Sequence, residues 1–402
     1  MPSQLSQAVA PQEPSERIDA IDILRGIALF GVLMVNLVTE FRVDLFQQFL
    51  PAAGPASGLN HAVEAGVGIF LELKAFALFS FLFGVGLAIQ FERLERTQRR
   101  LVLLVRRLLV LLGIGLFHLF FIWNGDILTE YALLGLVALP LLYLSNTWLL
   151  TLALLLLLFY MGLPHSLPPD FFWPSSDWLQ RHVIAANHAY TSNSYADVLQ
   201  FSWQEIPYIV SLLVAIAPRT VALFLLGAVA WRTGLLREPE RHRRLLWGMA
   251  ATGLLVGTAL SLLEAVSPSS PWSGLAHMWD NLSPLSPVIL AMGYMGVVVA
   301  LVSLTRARRA LAVFGPLGRM AFTNYLMQSI IFGWIFYGFG LGYFGKLGAA
   351  VAMGLGVAVY GGQIVLSRWW LRRYRFGPVE WLWRTLMYGA RQPLKWPRAN
   401  QV

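Results

Sequence analysis

Residues 101–144 read LVLLVRRLLVLLGIGLFHLFFIWNGDILTEYALLGLVALPLLYL. Two apolar runs, 101–122 and 127–144, each approach the length needed to cross a hydrocarbon core of about 30 Å. Only the corner Trp123-Asn-Gly-Asp126 separates them. Two spans joined by so short a polar corner make a transmembrane helical hairpin. Comparable apolar runs extend outward on both sides, at 21–39, 66–90, 147–163, 208–231, 245–266, 285–304, 317–338 and 348–371. The expected fold is all-α: a polytopic transmembrane helix bundle of about ten spanning helices.

Composition agrees. The chain has 402 residues, 57% hydrophobic and 13% charged, with a mean hydropathy of +0.61; soluble chains carry about 25% charge. The excess of 30 basic over 21 acidic residues is gathered into short connections at 93–107, 232–244, 306–309 and 368–375. The alternate connections at 40–65, 164–207, 267–284 and 339–347 are poor in Lys and Arg. This alternation places both termini in the cytoplasm and removes nucleic acid as the reason for the positive charge. With no cysteine, disulfides, thiolate nucleophiles and Cys-ligated metals are excluded. The polar, proline-containing residues 1–16 read as a flexible cytoplasmic tail, 17–391 as one transmembrane domain, and 392–402 as a second tail. Aromatics of the 164–207 connection (Phe171, Phe172, Trp173, Trp178) fit an interfacial belt or a lid, with a helix capped by Ser176 or Asp177. Gly253 and Gly257 predict a close helix contact.

Ionisable groups inside spans are costly and demand partners or water. Asp22 and Arg25 are three apart on the first helix and can pair. Lys74 lies about 12 Å into its helix at 1.5 Å per residue, with Glu72 on another face. His118 stands near the outer end of the third span. Asp126 and Glu130, four apart, can share a helix face. Arg219, Glu264, Asn324 and Gln328 complete the set, most of it in the outer half of the membrane. Either these groups form a structural network or they line a polar cavity open to the periplasm.

His118 is the one histidine within an expected span; the other six fall in connections. An imidazole with a carboxylate on one nitrogen serves as a general base or as a nucleophile. Asp126 is the candidate orienting carboxylate, and Lys74 or Arg219 could stabilise an oxyanion. Trp123 reads as an interface anchor and Asn124-Gly125 as the turn. No His/Asp/Glu spacing makes a metal site, so no metal is expected.

Five ordered motifs then carry a resemblance: IDILRGIALFGVLMVN (21–36), LKAFALFSFLFGVG (73–86), NGDILTEYALLG (124–135), GRMAFTNYLMQS (318–329) and FGPVEWLWRTLMYG (376–389). From Arg17 to Arg391 the chain resembles the YeiB-like family of bacterial inner-membrane proteins. That family is similar, at superfamily level, to transmembrane acyltransferases, which move an acyl group from cytoplasmic acyl-CoA to an acceptor on the far side by means of a membrane-embedded histidine. Carried over, the motif positions are Asp22, Arg25, Asn36, Lys74, His118, Asp126, Tyr131, Arg319, Asn324, Tyr325, Gln328, Glu380 and Arg384. The candidate catalytic set is His118, Asp126 and Lys74. The candidate substrate-binding set joins the motif positions Arg25, Asn36, Tyr131, Arg319, Asn324, Tyr325 and Gln328 to the intramembrane Glu72, Glu130 and Arg219, and the resemblance implies acyl-CoA as donor substrate. The early Tyr-His pair of the polysaccharide O-acyltransferases is missing, with Asn36 near its place, so His118 is chosen by position and not by a matched motif. Glu380 and Arg384 fit an interfacial amphipathic helix anchored by Trp381 and Trp383, or, with Arg319, a grip on a CoA phosphate. The expected partners are membrane lipid, acyl-CoA, a polar acceptor and, optionally, a second copy of the chain. A transporter or flippase for a small polar or lipid-linked molecule is the alternative, and a scaffold without chemistry the third.

Overall fold

The structure, a computed structural model, describes residues 19–50, 58–166, 175–266 and 282–396. The expected tail at 1–16 and Phe171, Phe172 and Trp173 lie outside them. Among the described residues the fold is helical throughout, and its single β-bridge joins Tyr374 to Lys395. Fifteen α-helices follow in order: α1 (Asp19–Asn36), α2 (Gly58–Phe70), α3 (Lys74–Arg93), α4 (Arg100–Phe121), α5 (Leu128–Leu141), α6 (Asn146–Ser166), α7 (Ser176–Tyr190), α8 (Tyr195–Arg232), α9 (Arg243–Val266), α10 (Ser286–Val302), α11 (Thr305–Leu311), α12 (Gly315–Arg319), α13 (Ala321–Phe336), α14 (Ala349–Arg373) and α15 (Pro378–Tyr388).

Among the described residues, six stretches are long and apolar enough to cross a membrane: Asp19–Phe41, Gly58–Arg93, Arg100–Phe121, Tyr195–Arg232, Arg243–Ala265 and Ala349–Arg373. A seventh arises if α10 and α11, which meet at 117°, count as one. The protein is a membrane protein. Each of the ten expected runs is helical, but α5 and α13, at 14 and 16 residues, are shorter than the roughly 20 residues a lone span uses.

Three boundaries differ from expectation. The run 66–90 is interrupted at Leu71–Leu73, where Leu73 adopts φ 58°, a left-handed conformation that a bulky side chain adopts only under outside constraint. Helix α8 begins at Tyr195, not near 208. Its N-terminal third is polar and Pro207 stands within it, both of which read locally as loop. Helix α7 begins at Ser176 because Ser175 Oγ accepts from Trp178 N, one residue before the expected cap. At the other end of the chain, Arg375 N donates to Leu394 O and Trp396 Nε1 to Leu371 O, so residues 394–396 fold back on α14.

Contact between helices rests on small residues. The expected Gly253 approach is real: α9 crosses α10 there, and a Cβ on Gly253 would lie 2.5 Å from Gly293 Cα. The crossing that positions the cavity below joins α1 to α12. A Cβ on Gly26 would strike the Phe314 carbonyl, and one on Gly318 the Asp22 carbonyl. Overpacking a close contact costs about 1–3 kcal/mol or more. Gly318→Leu is therefore expected to lower the thermal midpoint in detergent by several degrees or to abolish folding, whereas Gly248→Ala, with nothing within 4 Å, leaves it unchanged. Equal midpoints for the two variants would refute the tight α1–α12 crossing.

Candidate functional site

The corner between α4 and α5 is built so that each of its last three residues is held by a different part of the bundle. The carbonyl of His118 ends α4 by accepting from both Ile122 N and Trp123 N. Trp123, 4% exposed, stacks on Phe41 with ring centroids 4.3 Å apart; it is a core residue and not the expected interface anchor. Asn124 Nδ2 donates to Glu205 Oε2 at 2.7 Å. The Gly125 carbonyl accepts from Tyr325 OH at 3.1 Å, and a side chain at 125 would meet Trp123 and Glu40. Asp126 uses both oxygens: Oδ2 accepts from Thr129 N at 2.7 Å, capping the first turn of α5 from just outside it, and Oδ1 lies 2.8 Å from His118 Nδ1.

His118 and Asp126 therefore meet as expected. The third member was not anticipated: Ser329 Oγ on α13 lies 2.9 Å from His118 Nε2. With the Nδ1 proton directed at Asp126, Nε2 is left to accept from the Ser329 hydroxyl. Carboxylate, imidazole and hydroxyl thus stand in the order of a general-base relay. His118 is fully buried and Ser329 is 2% exposed. Tyr325, one turn before Ser329, has its ring 5.2 Å from that of His118.

Tyr325 also lines a cavity of about 250 Å³ that opens among the basic residues. Arg25, Arg107, Arg319, Arg375 and Arg384 stand around it with Asp22 and Glu380, and its walls are apolar (Val32, Phe79, Leu82, Phe83, Ile89, Leu111) as far as Ile127, Leu128, Tyr131 and Tyr325. Arg107 Nε and Gln90 Oε1 are buried with no hydrogen-bond partner. The Arg107 guanidinium lies 4.5 Å over the Trp383 ring, and that of Arg384 4.7 Å over Phe376. Asp22 meets Arg25 at 3.4 Å.

Of the remaining expected residues, Tyr131 alone lines this cavity. Lys74 Nζ donates to Gly68 O at 2.8 Å, in a group with Glu72 and Glu264 beside the helix break. It is not part of the His118 cluster, because Leu73 turns the chain there and commits the ammonium to the carbonyls left open at the end of α2. Glu130 accepts from Thr220 at 3.0 Å. Its carboxylate faces α8 and the buried Arg219, so it does not join Asp126. Asn324 donates to Ser367, and Gln328 to Gln363 at 2.7 Å, forming a polar ladder between α13 and α14. Asn36 is buried at the end of α1 with its Oδ1 unpartnered. Tyr131 donates to the Phe76 carbonyl and meets Ser80 at 2.8 Å. The expected polar set is thus divided among several paired clusters.

Glu380 belongs with neither expected use. From α15 its Oε1 accepts from Phe322 N and Thr323 N, and its Oε2 from Thr323 Oγ1, so it caps the start of α13. Burial raises its pKa above the ordinary carboxylate range, opposed by these donors.

A model of the family described as "Protein of unknown function (DUF418)" matches residues 230–390. Over its whole length the chain is similar to the uncharacterized protein YxaH of Bacillus subtilis, 36% identical with 96% of this chain and 98% of that one covered. It is also similar to the uncharacterized protein YeiB of Escherichia coli, 29% identical with 94% and 98% covered. The chain belongs to the YeiB-like (DUF418) family.

On this YeiB-like chain, all five resemblance motifs converge on one place, IDILRGIALFGVLMVN with Asp22 and Arg25 and LKAFALFSFLFGVG with Phe79, Leu82 and Phe83. NGDILTEYALLG supplies Asp126 and Tyr131, GRMAFTNYLMQS supplies Arg319, Tyr325 and, beyond expectation, Ser329, and GPVEWLWR supplies the Glu380 cap and Arg384. Sequence reasoning also passed over Arg107 and Arg375, which read only as topogenic charge, and Asp44, His182 and Glu205 at the opposite end. There, burial and the neighbouring Glu205 push the Asp44 carboxyl up to about 9, and burial lowers the pKa of His182.

A hydrogen bond to a charged group contributes about 1.5–3 kcal/mol, whereas one between neutral groups contributes about 1 kcal/mol. Asp126→Ala, which strips both His118 and the α5 cap, is expected to destabilise the detergent-solubilised protein well beyond Ser329→Ala. Chemical unfolding of both variants measures this, and equal losses would contradict the double role of Asp126.

Proposed function

We propose that this protein is an acyltransferase of the bacterial inner membrane, taking an acyl group from cytoplasmic acyl-CoA and delivering it to an acceptor from the periplasmic or lipid side. The observation that carries this reading is the composition of one cavity. Arginines crowd its mouth, where phosphates would bind bidentately, its walls are apolar enough for a pantetheine arm and an acyl chain, and its inner end is Tyr325, which stands against His118. In this reading Arg25, Arg319 and Arg384 hold the donor's phosphates. His118, oriented by Asp126, removes the proton from the attacking hydroxyl or amine. The new acyl bond forms as the thioester C–S bond breaks, and the proton held by His118 leaves with CoA as its thiol. Ser329 occupies the place of the attacking hydroxyl and either yields it to the acceptor or carries the acyl group between the two.

Removing a general base typically costs 10²- to 10⁴-fold. In purified protein, His118→Ala is expected to lower acyl-CoA turnover at least 100-fold with binding retained. Arg319→Ala is expected to raise KM for acyl-CoA about 10-fold, the loss of a charge-assisted contact. Wild type that neither binds nor consumes acyl-CoA from acetyl to palmitoyl would overturn the proposal. Ser329→Ala separates the two routes: full activity supports direct transfer, and loss comparable to His118→Ala supports the relay.

A second reading, a transporter, is favoured by one observation: the interruption at Leu71–Leu73 within a membrane-length run, with Glu72 and Lys74 at the break. Broken helices with half-helix ends at mid-membrane hold substrates in transporters. Uptake into sealed vesicles that is independent of acyl-CoA and lost in Lys74→Ala would favour it.

A further inference from the structure

At the end of the bundle opposite the arginines lies a cluster that acyl transfer does not use. Asp44 precedes the 3₁₀ turn Leu45–Phe49, His182 is in the second turn of α7, and Glu205 in the third turn of α8. One ligand atom from each of the three lies within 4.8 Å of those from the other two. His182 Nε2 is 2.8 Å from Glu205 Oε1, and the Asp44 carboxyl stands beside both. Both carboxylates are 2% exposed and the imidazole is 9% exposed.

Two features of the surroundings bear on what this cluster holds. The first is charge. Among the described residues no lysine or arginine faces either carboxylate, and Arg42, two residues from Asp44, is paired with Glu64 at 2.8 Å. Two buried carboxylates turned toward one another either share a proton or hold positive charge between them. A divalent ion beside a neutral imidazole balances the charge of both carboxylates. The second is orientation. Glu205 Oε2 is fixed from outside by Asn124 Nδ2 and by Tyr190 OH, and Asp44 Oδ1 accepts from Phe46 N at 3.0 Å. Trp178 stacks on His182 at 4.3 Å, and Phe46 meets it edge-on at 5.0 Å. The donors on the outer oxygens hold Glu205 Oε1 toward His182 Nε2, where an ion would take the place of the hydrogen bond between them.

We infer that Asp44, His182 and Glu205 form a binding site for a divalent first-row transition ion of the zinc class. One imidazole and two carboxylates are an ordinary ligand set for such an ion, bound at about 2.0–2.2 Å with ligand atoms closing to the edges of a tetrahedron. The fourth position falls to water or an external ligand. The ion ties the segment after α1 and helix α7 to α8. Through Asn124 it also braces the corner that presents Asp126 to His118. The inference is independent of acyl transfer, since its readouts are metal content and stability.

The test uses the full chain in detergent, purified through a tag without histidine and without chelator. Elemental analysis is expected to find about one equivalent of metal per chain, and cobalt exchanged into the site is expected to give visible d–d absorption. Chelation is expected to lower the thermal midpoint and added zinc to restore it. Asp44→Asn and Glu205→Gln are expected to abolish the metal and the zinc response, with cobalt absorption read on whichever variant remains monodisperse. Asn124→Ala, which removes an outer-shell donor, is expected to weaken zinc about 10-fold or more. His188→Ala, on the same helix outside the trio, is expected to keep full metal content. Metal-free wild type whose midpoint is indifferent to both chelator and zinc would overturn the inference and assign the cluster to a shared proton. Equal metal content in wild type and Glu205→Gln would overturn it as well.

Discussion

The arrangement of the site depends on a single carboxylate satisfying two demands at once. In an apolar surrounding, an unpaired N–H at a helix start costs several kcal/mol, and α4 and α5 are joined by too few residues to solve this with a loop. Asp126 answers with one oxygen on Thr129 N and the other on His118 Nδ1. The imidazole is thereby fixed in orientation by the same group that starts the next helix. Because Gly125 O is held by Tyr325 and Asn124 by Glu205, the corner also sets α13 and α8 relative to the hairpin. Three consecutive residues, Asn124 to Asp126, thus position α8, α13 and the start of α5.

Around this corner the bundle sorts its charge by end. Arginines gather where α1, α4, α12, α14 and α15 close on the cavity, and carboxylates with a histidine gather where α7 and α8 meet the segment after α1. The apolar middle is crossed by neutral contacts such as Asn324–Ser367 and Gln328–Gln363. The His118 row lies between the arginine-rich end and the end that holds the carboxylates.

What the sequence made legible follows from the range of each signal. Hydropathy is local, so the hairpin at 101–144 and most helices could be read directly, and Asp126 was found as the partner of His118 because only eight residues separate them. Ser329 is 211 residues from His118, and one serine in an apolar helix carries no local mark. Glu205 lies in a polar, proline-interrupted segment that imitates a loop and His182 in an expected helix, and only packing reveals that both side chains turn inward. Trp123 shows the same limit in reverse: an indole beside a turn fits the lipid interface as well as the core, until Phe41 is seen stacked against it. Arg107 and Arg375 were hidden by a sufficient other explanation, since charge that sets topology and charge that lines a cavity have the same composition.

The Glu380 cap has a mechanical consequence. The N–H groups at the head of α13 are held not by a residue of their own loop but by a carboxylate on α15, whose Arg384 stands at the cavity mouth one turn further on. Helix α13 carries Tyr325 at the cavity's inner end and Ser329 against the imidazole. A shift of α15 would uncover amide dipoles at the start of that rod, and a shift of the rod would pull on α15. Rim and relay are thus two ends of one lever, and a load on the arginines is felt at the buried hydroxyl without any side chain spanning the distance between them.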